Sequence, residues 1–234
     1  MKNSIMIKRM VGIATLAGLV AVLQILSNYI TFGPVSITLA LIPMVVGAIL
    51  YGPLTGFGLG VFMGALILTA PSTELFLGFN PFGTVVLCLL KTGLAGLASG
   101  WIYKGIIRIN ALKKAKFPVA VIVAALVAPC INTGLFIFGT AVLFQGLSFV
   151  DENGITDVLV PSTGFGDAFT AAVGFVVLTN WLIEFAVSVL LAPSIVYLFK
   201  VFRMNYDLGF ANDFKFVADT VIEEKIENSE EATA

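Results

Sequence analysis

The sequence contains no histidine. That removes the side chain most often used as a metal ligand and as a general base near neutral pH, and it rules out any Ser-His-Asp nucleophile. Charge is scarce: 12% of the 234 residues are Asp, Glu, Lys or Arg, against about 25% in an ordinary soluble domain. The two cysteines, Cys88 and Cys130, both sit in apolar runs and read as small hydrophobic side chains, not as a disulfide or a metal pair. There is no G-x-x-x-x-G-K-[ST] phosphate loop, which excludes ATP hydrolysis by that route. The spaced arginines of a voltage sensor and an obvious inverted repeat with broken helices are also missing. A net charge of −1 gives no reason to expect nucleic acid as a partner. No metal or cofactor is called for, and no enzymatic activity is expected.

What is present is apolar. Hydrophobic residues make up 59% of the chain and the mean hydropathy is +1.03, more than a soluble core absorbs. A polytopic, all-α membrane protein is the expected fold class. A span needs about 20 apolar residues, and six candidates fit: about 10–30, 36–51, 53–70, 82–103, 117–147 and 166–199. The basic start followed by an apolar stretch, "MKNSIMIKRMVGIATLAGLVAVLQIL", reads as the first span because no small-residue cleavage pattern follows it. The second and third spans are divided by "YGPL", a tight Gly-Pro turn. Residues 1–204 are expected to form one six-helix membrane domain, and 205–234 an acidic, polar cytoplasmic tail.

Charge placement orients this arrangement. Lys2, Lys8 and Arg9 precede the first span; Lys104, Arg108, Lys113, Lys114 and Lys116 fill the connection between the fourth and fifth; Lys200 and Arg203 follow the sixth. Six crossings put all of these on one side, and the positive-inside rule makes it the cytoplasm, with both termini inside. The opposite connections carry Glu74, Asp151, Glu152, Asp157 and Asp167 but no Lys or Arg.

Lys91 is the basic residue that this scheme leaves in lipid. At a rise of about 1.5 Å per residue, Lys91 lies about 20 Å from Lys104, Asn132 about 21 Å from Pro118 and Glu184 about 24 Å from Lys200. In a hydrocarbon core about 30 Å thick these polar residues of the fourth, fifth and sixth spans share a depth in the outer half. A charge at mid-membrane costs about 2.5–3.5 kcal/mol on insertion scales, and such residues mark pathways and sites. A polar pocket open to the outside is the functional reading. Asn180 stands one turn from Glu184, Thr133 adjoins Asn132, and Asn80 lies just outside the fourth span. The bland reading is a structural Lys91–Glu184 ion pair. For Asn132 and Thr133 it is interhelical hydrogen bonding, and for Asn80 a turn.

Small residues form stripes. Ala14, Ala17, Gly18 and Ala21 share a face of the first span; Gly56, Gly60 and Gly64 stand in GxxxG register on the third; Gly93, Gly96 and Gly100 follow on the fourth. Such stripes let helix backbones approach closely. Internal packing is expected for the third and fourth spans, and a partner protein competes with internal packing for the first.

Three stretches resemble the substrate-binding S-components of energy-coupling factor (ECF) transporters: "PVSITLALIPMVVGAILYGPLTGFGLGVFMG" (34–64), "APCINTGLFIFGTAVLF" (128–144) and "NWLIEFAVSVLLAPSIV" (180–196). The first resembles the family's second and third helices with their Gly-Pro turn. The others resemble the fifth and sixth helices of its vitamin-binding members. The resemblance covers the six spans and not the tail. It implies a bacterial, multi-pass membrane protein that binds a vitamin or vitamin precursor near the outer face, through the loop after helix one and helices four to six. It also implies docking on one coupling membrane subunit and two cytoplasmic ATPases, through the small-residue face of helix one. The general look is closest to members for pantothenate-like or hydroxymethylpyrimidine-like ligands. Lys91, Asn132, Thr133, Asn180, Glu184 and Asn80 are then the expected substrate-binding residues. Ala14, Ala17, Gly18 and Ala21 are the expected partner face. The rival functions are a stand-alone proton-coupled transporter and a structural membrane protein held by a Lys–Glu pair.

Overall fold

The structure is a computed structural model, and it describes residues 2–29, 31–32, 35–36, 38–109, 116–150, 156–176, 181–182, 184–188 and 190. Asn180, Lys200, Arg203 and the acidic tail lie outside the described residues.

Proline and glycine set the breaks between helices. Helix α1 (Lys2–Asn28) runs into a short antiparallel ribbon, β1 (Thr31–Phe32) and β2 (Val35–Ser36), which pairs Thr31 with Ser36. Helix α2 (Leu41–Tyr51) ends at Gly52, whose φ of 101° lies in the left-handed region that glycine alone adopts without strain. Pro53 then occupies the first turn of α3 (Pro53–Ile67), where its missing N–H would have had no partner in any case. A break of a few residues and an 85° bend lead into α4 (Pro71–Phe79). Asn80 caps the long helix α5 (Pro81–Ile107) by accepting a hydrogen bond from the Gly83 amide at 3.0 Å. Helix α6 (Lys116–Leu143) carries Pro129 inside it. A second ribbon, β3 (Ser148–Val150) with β4 (Thr156–Val158), precedes α7 (Phe165–Val176), and residues 184–188 are again helical.

The connections establish the direction of each helix. The Arg9 guanidinium donates to the Tyr51 carbonyl at 2.8 Å, and the Lys104 ammonium lies 3.8 Å from where a Cβ on Gly52 would stand. The start of α1, the α2–α3 turn and the end of α5 therefore meet at one end. At the opposite end Asn28 donates to the Leu66 carbonyl and the Thr69 hydroxyl, both at 3.4 Å. Asn80 there donates to the Leu143 carbonyl at 3.3 Å. Helices α1, α2, α3, α5 and α6 alternate in direction, and the basic ends of α1 and α5 lie together.

The closest packing is between α3 and α5. A Cβ on Gly56 would stand 2.6 Å from the Gly96 carbonyl oxygen, and one on Gly64 2.5 Å from that of Cys88. Around this seam a core of Val20, Met44, Val45, Leu59, Met63 and Val121 joins α1, α2, α3 and α6. A second cluster of Phe76, Phe136, Phe144 and Ala168 joins α4, α6 and α7. Large apolar side chains are exposed outside both, among them Leu19, Val22, Leu90, Phe138 and Val142. That is the surface expected toward lipid and not toward water.

Against expectation, α2 is only 11 residues long, about 16 Å at helical rise, which is half a bilayer core. Helices α1, α5 and α6 are each long and apolar enough to cross a membrane, and the bent α3–α4 pair makes a fourth candidate. The connection holding Glu74, expected to be a loop, is the helix α4. Its sequence carries the signals of a helix start, Pro71 in the first turn and Glu74 at the positive end of the helix dipole.

Candidate functional site

The shortness of α2 builds the site. The non-helical residues just before it, Thr38 to Ala40, are brought down among the helices and are largely buried: Thr38 is 8% exposed and Ala40 is fully buried. Backbone N–H groups cannot be left bare at that depth, and here side chains satisfy them. The Thr38 amide donates to Glu184 Oε1 at 3.0 Å. The Leu39 amide donates to Ser27 Oγ at 3.1 Å, and the Ser27 hydroxyl donates to the Leu23 carbonyl at 2.7 Å. Just beneath, Gln24 Nε2 donates to Asn28 Oδ1 at 2.8 Å.

Glu184 is 2% exposed, and its second oxygen, Oε2, has no hydrogen-bond partner. Asn132 and Thr133 on α6 are each 3% exposed, and Asn132 Oδ1 and Thr133 Oγ1 are likewise unpartnered. The Asn132 side chain lies within hydrogen-bonding reach of the Glu184 carboxylate, and Lys91 lies close enough to act on it electrostatically. One turn beyond Asn132, the Phe136 ring receives the Lys91 ammonium 4.3 Å from its centroid. This is a cation–π contact of a kind worth about 0.5–2 kcal/mol. No contact within 4.0 Å joins Lys91 to Glu184, so the direct ion pair of the bland reading is not formed. One turn past Glu184, Ser188 lines a small crevice with Leu41, Ile42, Val45 and Ala125.

Of the residues expected at the site, the fold gathers Lys91, Asn132 and Glu184, and Thr133 is the buried neighbour of Asn132 on α6. Asn80 stands apart at the start of α5, where its side chain caps that helix and ties it to α6. Asn180 is outside the described residues. Sequence reasoning missed Thr38, Ser27 and Ser188. The usable signal was length: an apolar run too short to span must lead in with buried irregular backbone, and that backbone needs polar side chains nearby.

The small-residue face of α1 divides. Ala14 and Gly18 are exposed, and a Cβ on Gly18 would meet nothing within 4 Å. Ala17 packs on the core and Ala21 is half-buried.

Buried polar groups among the helices of a multi-pass membrane protein suit a substrate-binding membrane subunit. The family model of the ECF transporter substrate-specific component matches residues 8–196, and the chain belongs to that family. It is thus a component of a transporter, not of an enzyme family, and its membership implies an ECF module and a small-molecule substrate as partners. No curated protein and no solved structure matches it.

Proposed function

We propose that this subunit captures a vitamin or vitamin precursor from outside the cell and hands it to an ATP-driven coupling module. That module comprises one coupling membrane subunit and two cytoplasmic ATPases. The favoured ligands are pantothenate-like or hydroxymethylpyrimidine-like. The chain crosses the bacterial cytoplasmic membrane six times with both termini and the acidic tail inside. The common end of Arg9, the α2–α3 turn and Lys104 supports that orientation. Lys91, Asn132, Thr133, Asn180 and Glu184 line the ligand site, with Asn80 at its outer rim. Ala14 and Gly18, flanked by Ala17 and Ala21, face the coupling subunit.

One observation carries this reading: a carboxylate buried among helices, within reach of Asn132 and Lys91, with one oxygen that accepts no close hydrogen bond. Groups this expensive to keep are retained for a partner. The test is native mass spectrometry of the protein released from detergent. A stoichiometric small-molecule adduct, lost in Glu184→Ala, is expected. A clean spectrum together with uptake into vesicles holding this chain alone would instead establish a proton-coupled carrier.

A further inference from the structure

We propose that the end of the molecule where α1, the α2–α3 turn and α5 meet binds the headgroup of an anionic phospholipid. This site is separate from the one that captures a small molecule and does not depend on it. Two cations from distant parts of the chain converge on one turn. The Arg9 guanidinium donates to the Tyr51 carbonyl at 2.8 Å, and the Lys104 ammonium comes within 3.8 Å of where a Cβ on Gly52 would stand. Both side chains are exposed. Tyr51 and Gly52 are consecutive, so the two charges flank the same turn.

The turn itself has no need of the second cation. The Ala48 carbonyl accepts from the Gly52 amide, and the Gly52 carbonyl accepts from the Thr55 and Gly56 amides, all at 3.1 Å. The Tyr51 carbonyl accepts from the Thr55 hydroxyl at 3.3 Å in addition to Arg9. Capping of a helix end therefore accounts for Arg9, whereas Lys104 donates to no group among the described residues. No described carboxylate is there to balance it. Glu74 is on α4, Asp157 on β4 and Asp167 on α7, all toward the opposite end, and Glu184 accepts from the Thr38 amide in the interior. An ammonium beside a guanidinium, between helix ends and with no counter-charge, is a setting that takes up anionic headgroups.

The surroundings select a lipid over a free anion. Pro53 lies against Gly100, where a Cβ would stand 2.7 Å from Pro53 Cα. The next residue in each helix is a bare apolar side chain: Leu54 is 81% exposed and Trp101 63%. Trp101 stands one turn before Lys104 on the same face of α5. An indole so placed belongs at the membrane–water boundary, which sets the ammonium one turn further out, at headgroup level. A phosphodiester there accepts charge-assisted hydrogen bonds from Lys104 and Arg9, while the glycerol and first methylenes lie against the exposed apolar side chains. A choline headgroup would bring its own cation against Lys104 and is disfavoured.

The test is native mass spectrometry of the purified full chain from micelles holding equal amounts of phosphatidylglycerol and phosphatidylcholine, with melting temperatures measured in parallel. The unaltered chain is expected to retain phosphatidylglycerol in preference and to melt higher with it than with phosphatidylcholine. Lys104→Gln should weaken that retention about fivefold, the equivalent of about 1 kcal/mol for one cation at a membrane surface, and Lys104→Arg should restore it. In phosphatidylcholine alone Lys104→Gln should melt like the unaltered chain, because no hydrogen bond is lost. Arg9→Gln should lower both retention and melting temperature. Inorganic phosphate should give no stabilisation. Equal retention of the two lipids by the unaltered chain overturns the proposal without recourse to any variant, and so does retention that Lys104→Gln leaves unchanged. Stabilisation by inorganic phosphate equal to that by phosphatidylglycerol makes this a free-anion site and overturns it as well. A Lys104→Gln chain that melts lower by the same amount in both lipids assigns Lys104 to the helix end instead. Loss of co-purification with the coupling module in Lys104→Gln, without lipid selectivity, gives the turn to a protein partner.

Discussion

Two glycines in one helix test the packing argument against an internal control. Gly60 and Gly58 are both inside α3, two residues apart and so on different faces. A Cβ on Gly60 would collide with the Thr92 carbonyl oxygen and stand 2.7 Å from the Thr92 carbonyl carbon and 2.9 Å from Gly93 Cα. All of these are backbone atoms of α5, so no rotamer change relieves the clash and the helices must separate. Overpacking of that kind costs about 1–3 kcal/mol. For a chain of this size it lowers the melting temperature by about 2–4 °C per kcal/mol, hence roughly 2–12 °C. A Cβ on Gly58 meets nothing within 4 Å, and Ala there gains up to about 1 kcal/mol of helix propensity. Gly60→Ala and Gly58→Ala melted in the same detergent should therefore move in opposite directions or differ by several degrees. Equal melting temperatures would refute a backbone-to-backbone seam between α3 and α5.

The remaining predictions are local. Ser27→Ala removes the acceptor of the Leu39 amide; a buried N–H left bare costs about 1–3 kcal/mol, and hydrogen exchange at Leu39 should accelerate while α5 amides are unchanged. Asn80→Ala loses the cap on Gly83 and the tie to Leu143. It should lower stability by about 1 kcal/mol in a thermal melt, and Asn80→Asp, which keeps the capping oxygen, should recover most of it. Gly18→Leu fills the open face of α1 without touching the core. It should leave ligand affinity unchanged within about twofold, a few tenths of a kcal/mol, while abolishing co-purification with the coupling module.

The long helices were legible because lipid imposes one rule on all of them: a run of apolar residues ending in basic flanks is hard to mistake. The break between α2 and α3 was also on the page, since Gly52 and Pro53 leave the chain little choice. Helix α4 was overlooked because a polar connection was assumed to be loop, although Pro71 and Glu74 announced it. At the site, counting residues from the basic ends put Lys91, Asn132 and Glu184 at one height, and the structure brings Lys91 and Asn132 near Glu184. Height is one coordinate. The angle around each helix was not available from counting, and that angle puts Lys91 over Phe136 instead of against Glu184. Thr38 was illegible for another reason: its 3.0 Å hydrogen bond to Glu184 comes from a backbone amide, which every residue but proline possesses.

The seam between α3 and α5 has a mechanical consequence. Where Gly56 meets Gly96 and Gly60 meets Thr92, backbone lies on backbone with no side chain between. A side-chain interface can creep by changing rotamers, but a bare one either holds its register or separates. Helices α3 and α5 therefore act as a single stiff beam. Lys91 is mounted on that beam, whereas Glu184 and Thr38 lie on other segments and are joined to each other through the Thr38 amide. Lys91 therefore keeps a fixed position on the beam, against which movement of the Thr38 and Glu184 segments can be measured.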